Sequence, residues 1–446
     1  MITEMNLNKI KKIIYLLITA FFLLFPKFIR DQYWQTKELY IFWAGKVYRH
    51  IKSCFLTKYK LVDNIEKLDC IDKCLFFNKS KNFFNKISPS SYYINKKQLN
   101  SQSVVIHTAE SFGYLLKNVT IICDSDAFIY KNYIYSHEIN RHYSFHEMKA
   151  DNIQKYDENN NYVIKNKIKS NTDNQKLYVS LLTEVSYNYW HWSFEILTKL
   201  IKLNESINNI PYKKNDIVLV VDSKIPNQFK RSLDILNKNN FEVLLLDNSQ
   251  ALSCNNVLYI SNLNMIINNR QYTSRPELDF YSDRSSLISL REEVLESERN
   301  ITFVNKPKRV FIYRAIGLGA HNRSIANYEE LIYTLYKYEF TMINVFTLTY
   351  DEQIELFANA EIIVGMAGAE FVNLIYMHSG ANVIMINPAT AAASFYSFQY
   401  LADISNVNLK YFMSNSSNLN NIHSESSVNV KYFENLLKET CENYFE

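Results

Sequence analysis

The 446-residue sequence is poor in the residues that punctuate loops, with only 7 glycines and 7 prolines, and beside its abundant Asn, Lys, Ile and Tyr this describes an ordered globular chain. It also lacks a bias of charge: 49 basic against 45 acidic side chains leave a net +4. A total so near balance argues for no polyanionic partner, and nucleic acid is not expected. Paired cysteines are missing as well. The six cysteines (Cys54, Cys70, Cys74, Cys123, Cys254 and Cys441) form no C-x-x-C, and Cys70 with Cys74 has no histidine close by, which argues against zinc. Scattered thiols in a reducing compartment are the reading that remains.

No apolar run reaches the roughly 17–25 residues that a membrane-spanning helix needs. Ile13–Phe25 is apolar for 13 residues behind a lysine-rich start, and no small-x-small cleavage site follows it. A short or tilted signal anchor, an in-plane membrane helix and a helix packed on the next domain all fit this stretch. From Asp31 to Tyr59, rings such as Tyr33, Trp34, Tyr40 and Trp43 mix with Lys and Arg. That mixture suits an interfacial segment with rings at the headgroup level. It points to peripheral attachment at the cytoplasmic face of a membrane, and equally to a helical cap over the next domain.

Length allows two core-bearing domains plus an extension. Short apolar strands alternate with helical patterns from about residue 100 onward. Leu177–Leu182, Asp216–Val221 and Phe241–Leu246 read as strands, with a helix over Asn227–Leu236. Arg309–Tyr313, Phe340–Val345, Glu361–Val364 and Val383–Ile386 read as four more, with helices over 328–338 and 350–359. Such alternation predicts parallel sheets covered on both faces. The expected fold class is therefore α/β, with two Rossmann-like lobes behind a helical N-terminal extension. The expected division is residues 1–100, 101–300 and 301–446, with a final helix free to cross back to the first lobe.

Residues 361–388 organise the second lobe, as strand, glycine-bearing turn at Gly365 and Gly368, helix from Ala369 to Met377, and returning strand. A helix that starts on small residues directly after a parallel strand aims unpaired N–H groups and the positive end of its dipole above the sheet edge, where a phosphate is favoured. An ordinary tight turn fits the same residues. Arg314 stands at the carboxyl end of another strand, where open α/β sheets place ligands, and Arg323 and Asn327 follow a polar loop. Two guanidinium groups facing such a helix suit a departing diphosphate, although surface pairing with Glu329 or Glu330 is the alternative. No G-x-G-x-x-G is present, which argues against a nicotinamide enzyme.

In the first lobe, Asn188–Leu197 reads NYWHWSFEIL. His191 and Glu195 fall at i and i+4 on one helix face, a geometry in which the carboxylate orients the imidazole and the ring exchanges a proton near neutral pH. Spacing alone equally describes a hydrogen-bonded core histidine, and favours it. Asp124 and Asp126 make a D-x-D pair, but between two strands it reads as an Asx-rich turn.

Taken in order, NYWHWSFEILTKL, the strand ending in Arg314 with Arg323 and Asn327 beyond it, and FANAEIIVGMAGAEFVNLIYM resemble three elements of glycosyltransferase family 61, the capsular polysaccharide biosynthesis type included. Two positions depart from the family pattern: Ala367 stands where it has His, and Glu195 where it has Asp. The resemblance implies a GT-B arrangement and metal-independent, inverting transfer from a nucleotide sugar, UDP-linked by expectation, to a glycan or lipid-linked glycan. It further implies that His191 and Glu195 form the base. Arg314, Arg323, Asn327, Gly365, Gly368, Ala369, Glu370 and Asn373 then become the donor-site candidates.

Overall fold

A computed structural model describes residues 57–78, 85–86, 91–94, 97–100, 105–106, 108, 110–141, 152–171, 173–266, 280–297, 306–313, 324–389, 396–418 and 424–442. The apolar run at 13–25 and the aromatic segment up to 56 lie outside these residues. Among the described residues, no helix is long and apolar enough to cross a membrane.

The protein is a mixed α/β fold built on two large sheets. In the first, of twelve strands, Glu242–Leu246, Ile217–Asp222, Leu177–Ser180 and Gln250–Ile260 run parallel in that order. Ser111–Ile122 then pairs antiparallel with Gln250–Ile260 and leads into Phe128–Tyr130, Tyr133–Tyr135 and Tyr59–Leu61. The second sheet, of eight strands, is parallel through Thr341–Asn344, Arg309–Tyr313, Ile362–Met366, Asn382–Pro388 and Asn408–Ser416.

The described residues between 59 and 100 form strands and one 3₁₀ turn, Ile65–Lys67, where a helical region was expected. Ile71–Asn78 pairs with Ser111–Ile122 in the first sheet, whereas Ser91–Ile94 lies parallel to Asn408–Ser416 in the second and turns back as Lys97–Asn100. The chain thus contributes to both sheets before it completes either. Cys74, grouped with Cys70 by a helical spacing, lies in the strand Ile71–Asn78.

Alternation along the strands explains the core. In the first sheet, Leu177, Val179, Leu219 and Val221 point to the face covered by helices Leu197–Ser206, Asn227–Leu236 and Arg284–Ser297, while Tyr178, Val218, Val220 and Tyr259 point to the other. In the second, Val310, Ile312, Val383 and Met385 join that same helix-covered core, and Phe311, Val364, Ile384 and Ile386 face outward onto a separate one. Because both faces of the central strands Leu177–Ser180, Ile217–Asp222, Ile362–Met366 and Asn382–Pro388 are buried, these read as nearly unbroken apolar runs. One apolar core therefore runs between the sheets, through the helices that separate them.

Helix Val430–Glu442, left free by the sequence to cross back, packs instead on the outer face of the second sheet. Phe433, Leu436 and Leu437 join Leu331 and Leu335 of helix Tyr328–Lys337 there, and Lys337 Nζ reaches Glu434 Oε1 at 3.6 Å.

Candidate active site

The chain from Asn188 to Ser206 changes its winding twice. Asn188 caps the turn Tyr189–His191, its side-chain oxygen accepting from the Trp190 N–H at 2.9 Å. Trp192–Ile196 is then wound as a π-helix, and Leu197–Ser206 returns to α. Single π turns inside α-helices recur at functional sites, because they re-aim side chains at the expense of regular hydrogen bonding.

Across this turn His191 Nδ1 lies 3.0 Å from Glu195 Oε1. The same oxygen accepts the N–H of Ile266 at 3.1 Å, so a second stretch of chain holds the carboxyl group in place. His191 stays 14% exposed while Glu195 is 2% exposed. With Nδ1–H donated to the carboxylate, Nε2 is left as the ring's acceptor. The two residues paired by spacing are thus in contact.

Behind the pair lies a buried polar cluster that periodicity did not show. Asp126 accepts the backbone N–H groups of His137 and Glu138 at 2.8 and 3.1 Å and the Tyr259 hydroxyl at 2.8 Å, capping helix His137–Arg141. This occupies the second carboxylate of the D-x-D pair. Glu138 accepts from the backbone N–H of Asp126 at 3.2 Å, that of Glu184 at 3.1 Å and the Asn262 amide at 3.1 Å. Burial, reinforced by Asp126 and Glu184, pushes the Glu138 carboxyl well above the usual range, so it favours its proton.

One turn beyond Glu195, Lys199 is 1% exposed, its Nζ 3.5 Å from the Leu182 carbonyl. Burial pulls this ammonium down, while Asp126, Glu138 and Glu195 pull it up. A lysine on the buried stripe beside Ile196, Leu200 and Leu203 was the available signal, since such a charge persists only when it is compensated.

In the second sheet, Gly365 lies within strand Ile362–Met366, and a Cβ there would stand 2.9 Å from the Phe371 ring and 3.1 Å from the Ile312 carbonyl oxygen. Gly365 thus lets the following turn fold down onto the sheet. Gly368 precedes a 3₁₀ helix, Ala369–Tyr376, where an α-helix to Met377 was expected. Glu370 is buried and Ala369 half-buried at its start. Ala367 is 6% exposed and belongs to the core shared by the two sheets.

Asn373 is 0% exposed; its Oδ1 accepts the Tyr189 hydroxyl at 2.8 Å, and its Nδ2 donates to Gln353 Oε1 at 3.4 Å. It therefore sits on the junction between the His191 segment and the glycine turn. Trp190 stacks edge-on to Phe398 at 4.9 Å beside it. Asn327 exchanges two hydrogen bonds with the Val428 backbone, at 2.7 and 2.9 Å, and so fastens the C-terminal segment to the start of helix Tyr328–Lys337. Arg314 and Arg323 lie outside the described residues. Among the described residues, no group of three or more His, Cys, Asp or Glu is disposed to hold a metal ion.

The two-sheet α/β fold carries its histidine–carboxylate pair on the segment whose Tyr189 meets Asn373 of the second sheet's turn, and the sequence comparison gives its family. The Glycosyltransferase 61 family model matches residues 35–384, a span that includes His191, Glu195 and the whole glycine turn. The chain belongs to glycosyltransferase family 61, and with the family come a glycosyl donor and an acceptor as substrates. No curated protein matches the chain.

Proposed function

We propose that the chain is an inverting glycosyltransferase that moves a sugar from a nucleotide-sugar donor, UDP-linked by preference, to a glycan or lipid-linked glycan of a surface, capsular-type polysaccharide. Its two sheets act as the lobes of a GT-B enzyme working at the cytoplasmic membrane face, with its N-terminal region as peripheral contact or short anchor. The first lobe takes the acceptor and the second the donor.

The observation that carries this reading is the 3.0 Å contact between His191 Nδ1 and Glu195 Oε1, on a part-exposed histidine whose segment meets the second sheet through the Tyr189–Asn373 bond. In the proposed step His191 Nε2 removes the proton of an acceptor hydroxyl. The oxygen then bonds the anomeric carbon from the face opposite the leaving diphosphate. The bond from the anomeric carbon to the diphosphate oxygen breaks with its electron pair on the diphosphate, and configuration inverts. Arg314, Arg323 and the amide groups that open the turn at Gly368 are assigned the developing negative charge, a task that charge-assisted bonds and helix ends perform without a metal.

A thermal-shift screen against nucleotide sugars finds the donor, because a ligand that binds only the folded state raises the transition. With that donor, His191→Gln lowers kcat by about 10²–10⁴-fold with little change in donor affinity. A variant with unaltered kcat removes His191 from the chemistry. Arg314→Ala sharply lowers donor turnover, and unchanged kinetics would take that residue out of the mechanism.

Ala367 favours a second reading. It replaces the family's histidine with a methyl group packed in the core, which suits a protein that binds nucleotide sugar or glycan within an assembly complex without transferring it. Donor binding with no transfer to any acceptor is its signature.

A further inference from the structure

At the carboxyl edge of the first sheet lies a cavity that the His191 pair does not use. The register places it: Ile260, at the end of strand Gln250–Ile260, is opposite Gly113, and Phe77 is opposite Phe112. Between that edge, the 3₁₀ turn Ile65–Lys67 and helix His137–Arg141 is a half-open space of about 360 Å³, within the range of small-ligand sites. Open α/β sheets place ligands at this edge.

The chemistry of the lining is one-sided. Asp63, Glu66 and Glu110 contribute carboxyl groups, and among the described residues no lysine or arginine lines the space, which disfavours a phosphate or diphosphate. Phe112 and Tyr114, with ring centroids 5.0 Å apart, form an aromatic wall, and the Tyr114 hydroxyl donates to Glu66 Oε1 at 3.1 Å. Phe77, 37% exposed, adds another ring. A pyranose fits such a lining, since its C–H groups pack on aromatic faces while its adjacent hydroxyls donate to carboxylate oxygens.

A line of contacts joins this space to the His191 pair. His137, in the lining, has its Nδ1 3.3 Å from the Tyr281 hydroxyl. Tyr281 pairs with Met265 in a two-stranded ribbon, and the next residue, Ile266, donates its N–H to Glu195 Oε1. Cavity and histidine thus share one frame, with the ribbon between them.

We infer that this cavity binds a neutral pyranose unit of the acceptor glycan, a unit other than the one whose hydroxyl reacts at His191. The assignment rests on the acceptor role proposed above for the first lobe. Full-length protein is titrated with the methyl pyranosides of glucose, galactose and N-acetylglucosamine, and with glucosamine as a cationic control, by saturation-transfer NMR. The neutral glycosides bind with dissociation constants on the order of 1–10 mM, and the double variant Phe77→Ala/Glu110→Gln weakens them at least about tenfold. His191→Gln leaves this binding in place. In transfer assays the double variant raises acceptor KM by a similar factor with kcat and donor hydrolysis unchanged.

Absence of saturation transfer from every neutral glycoside, binding of glucosamine alone, or undiminished binding in a folded double variant each overturns the inference. Donor turnover without pyranoside binding retires the cavity alone. Pyranoside binding that the double variant abolishes, in a protein that turns over no donor, retains a sugar site and retires the transferase reading.

Discussion

Replacing Lys199 with methionine removes a cation from the buried cluster while keeping most of the side-chain volume. Lys199 is 1% exposed, and Asp126, Glu138 and Glu195 around it are each 2% exposed or less. Deleting one member of a buried, compensated set leaves the opposite charges without their partner, which costs about 3–5 kcal/mol. At about 2.1 cal/mol/K of unfolding entropy per residue, a single folding unit of 446 residues then loses about 3–5 °C of thermal midpoint. The pH dependence separates this from a simple packing defect. Glu138 already has a raised folded-state pKa, and Lys199 is one of the groups holding it down. Without Lys199 the folded protein binds its carboxyl protons still more tightly than the unfolded chain does. Stability conferred by a raised carboxyl is fully present below the unfolded value of about 4.3 and is lost as pH rises toward the folded value. The gap between wild type and Lys199→Met is therefore smallest near the unfolded carboxyl range and widens toward neutrality. Differential scanning fluorimetry across that pH range reads both effects. A variant as stable as wild type at neutral pH, or a gap that ignores pH, would refute the compensating role, because burial also pulls on Lys199 itself.

Three further perturbations follow from the geometry. Gly365→Ala sets a methyl group 2.9 Å from the Phe371 ring and 3.1 Å from a backbone oxygen, an overpacking that costs about 1–3 kcal/mol; an unchanged or higher thermal midpoint contradicts it. Tyr189→Phe leaves the buried Asn373 Oδ1 without the donor now 2.8 Å away, a loss of about 1–3 kcal/mol measurable by urea unfolding and absent if that bond is idle. Burial raises the phenols of Tyr189 and Tyr259 well above their usual value, so their contribution is present below about pH 10 and fades above it. Stability of the wild type accordingly falls in that alkaline range, and an equally steep fall in Tyr259→Phe would exclude that residue as a source.

Much of the second sheet was legible in the sequence. Arg309–Tyr313 and Tyr350–Asn359 have the bounds their patterns suggest, because an apolar β-branched run and a Thr349–Glu352 capping box are local signals. The hairpin 91–100 was not legible, since its parallel partner lies more than 300 residues away, and pairing at that distance leaves no local period. Ser111–Ile122 does not read as one continuous strand. Gly113 interrupts its apolar run opposite Phe76, and Asn118 takes a positive φ of 55°. Of the site, the His191–Glu195 contact was readable from spacing, while the π winding between them was not, because one extra residue per turn barely alters an apolar stripe. Asn373 was a donor-site candidate only through the family resemblance. Its contact with Tyr189 depends on how the two sheets meet, which no short window of sequence reports.

The strand Ser91–Ile94 is made early and used late. Its neighbour Asn408–Ser416 follows it by more than 300 residues, so during translation the edge of the strand not paired with Lys97–Asn100 waits with its backbone donors and acceptors unclaimed. A closure of that span is entropically slow, and the folding rate should be governed by it more than by any helix. For the same reason the chain cannot be cut between its sheets into two autonomous pieces: a fragment that ends before 408 carries an orphaned edge, and one that begins after 100 lacks its border strand.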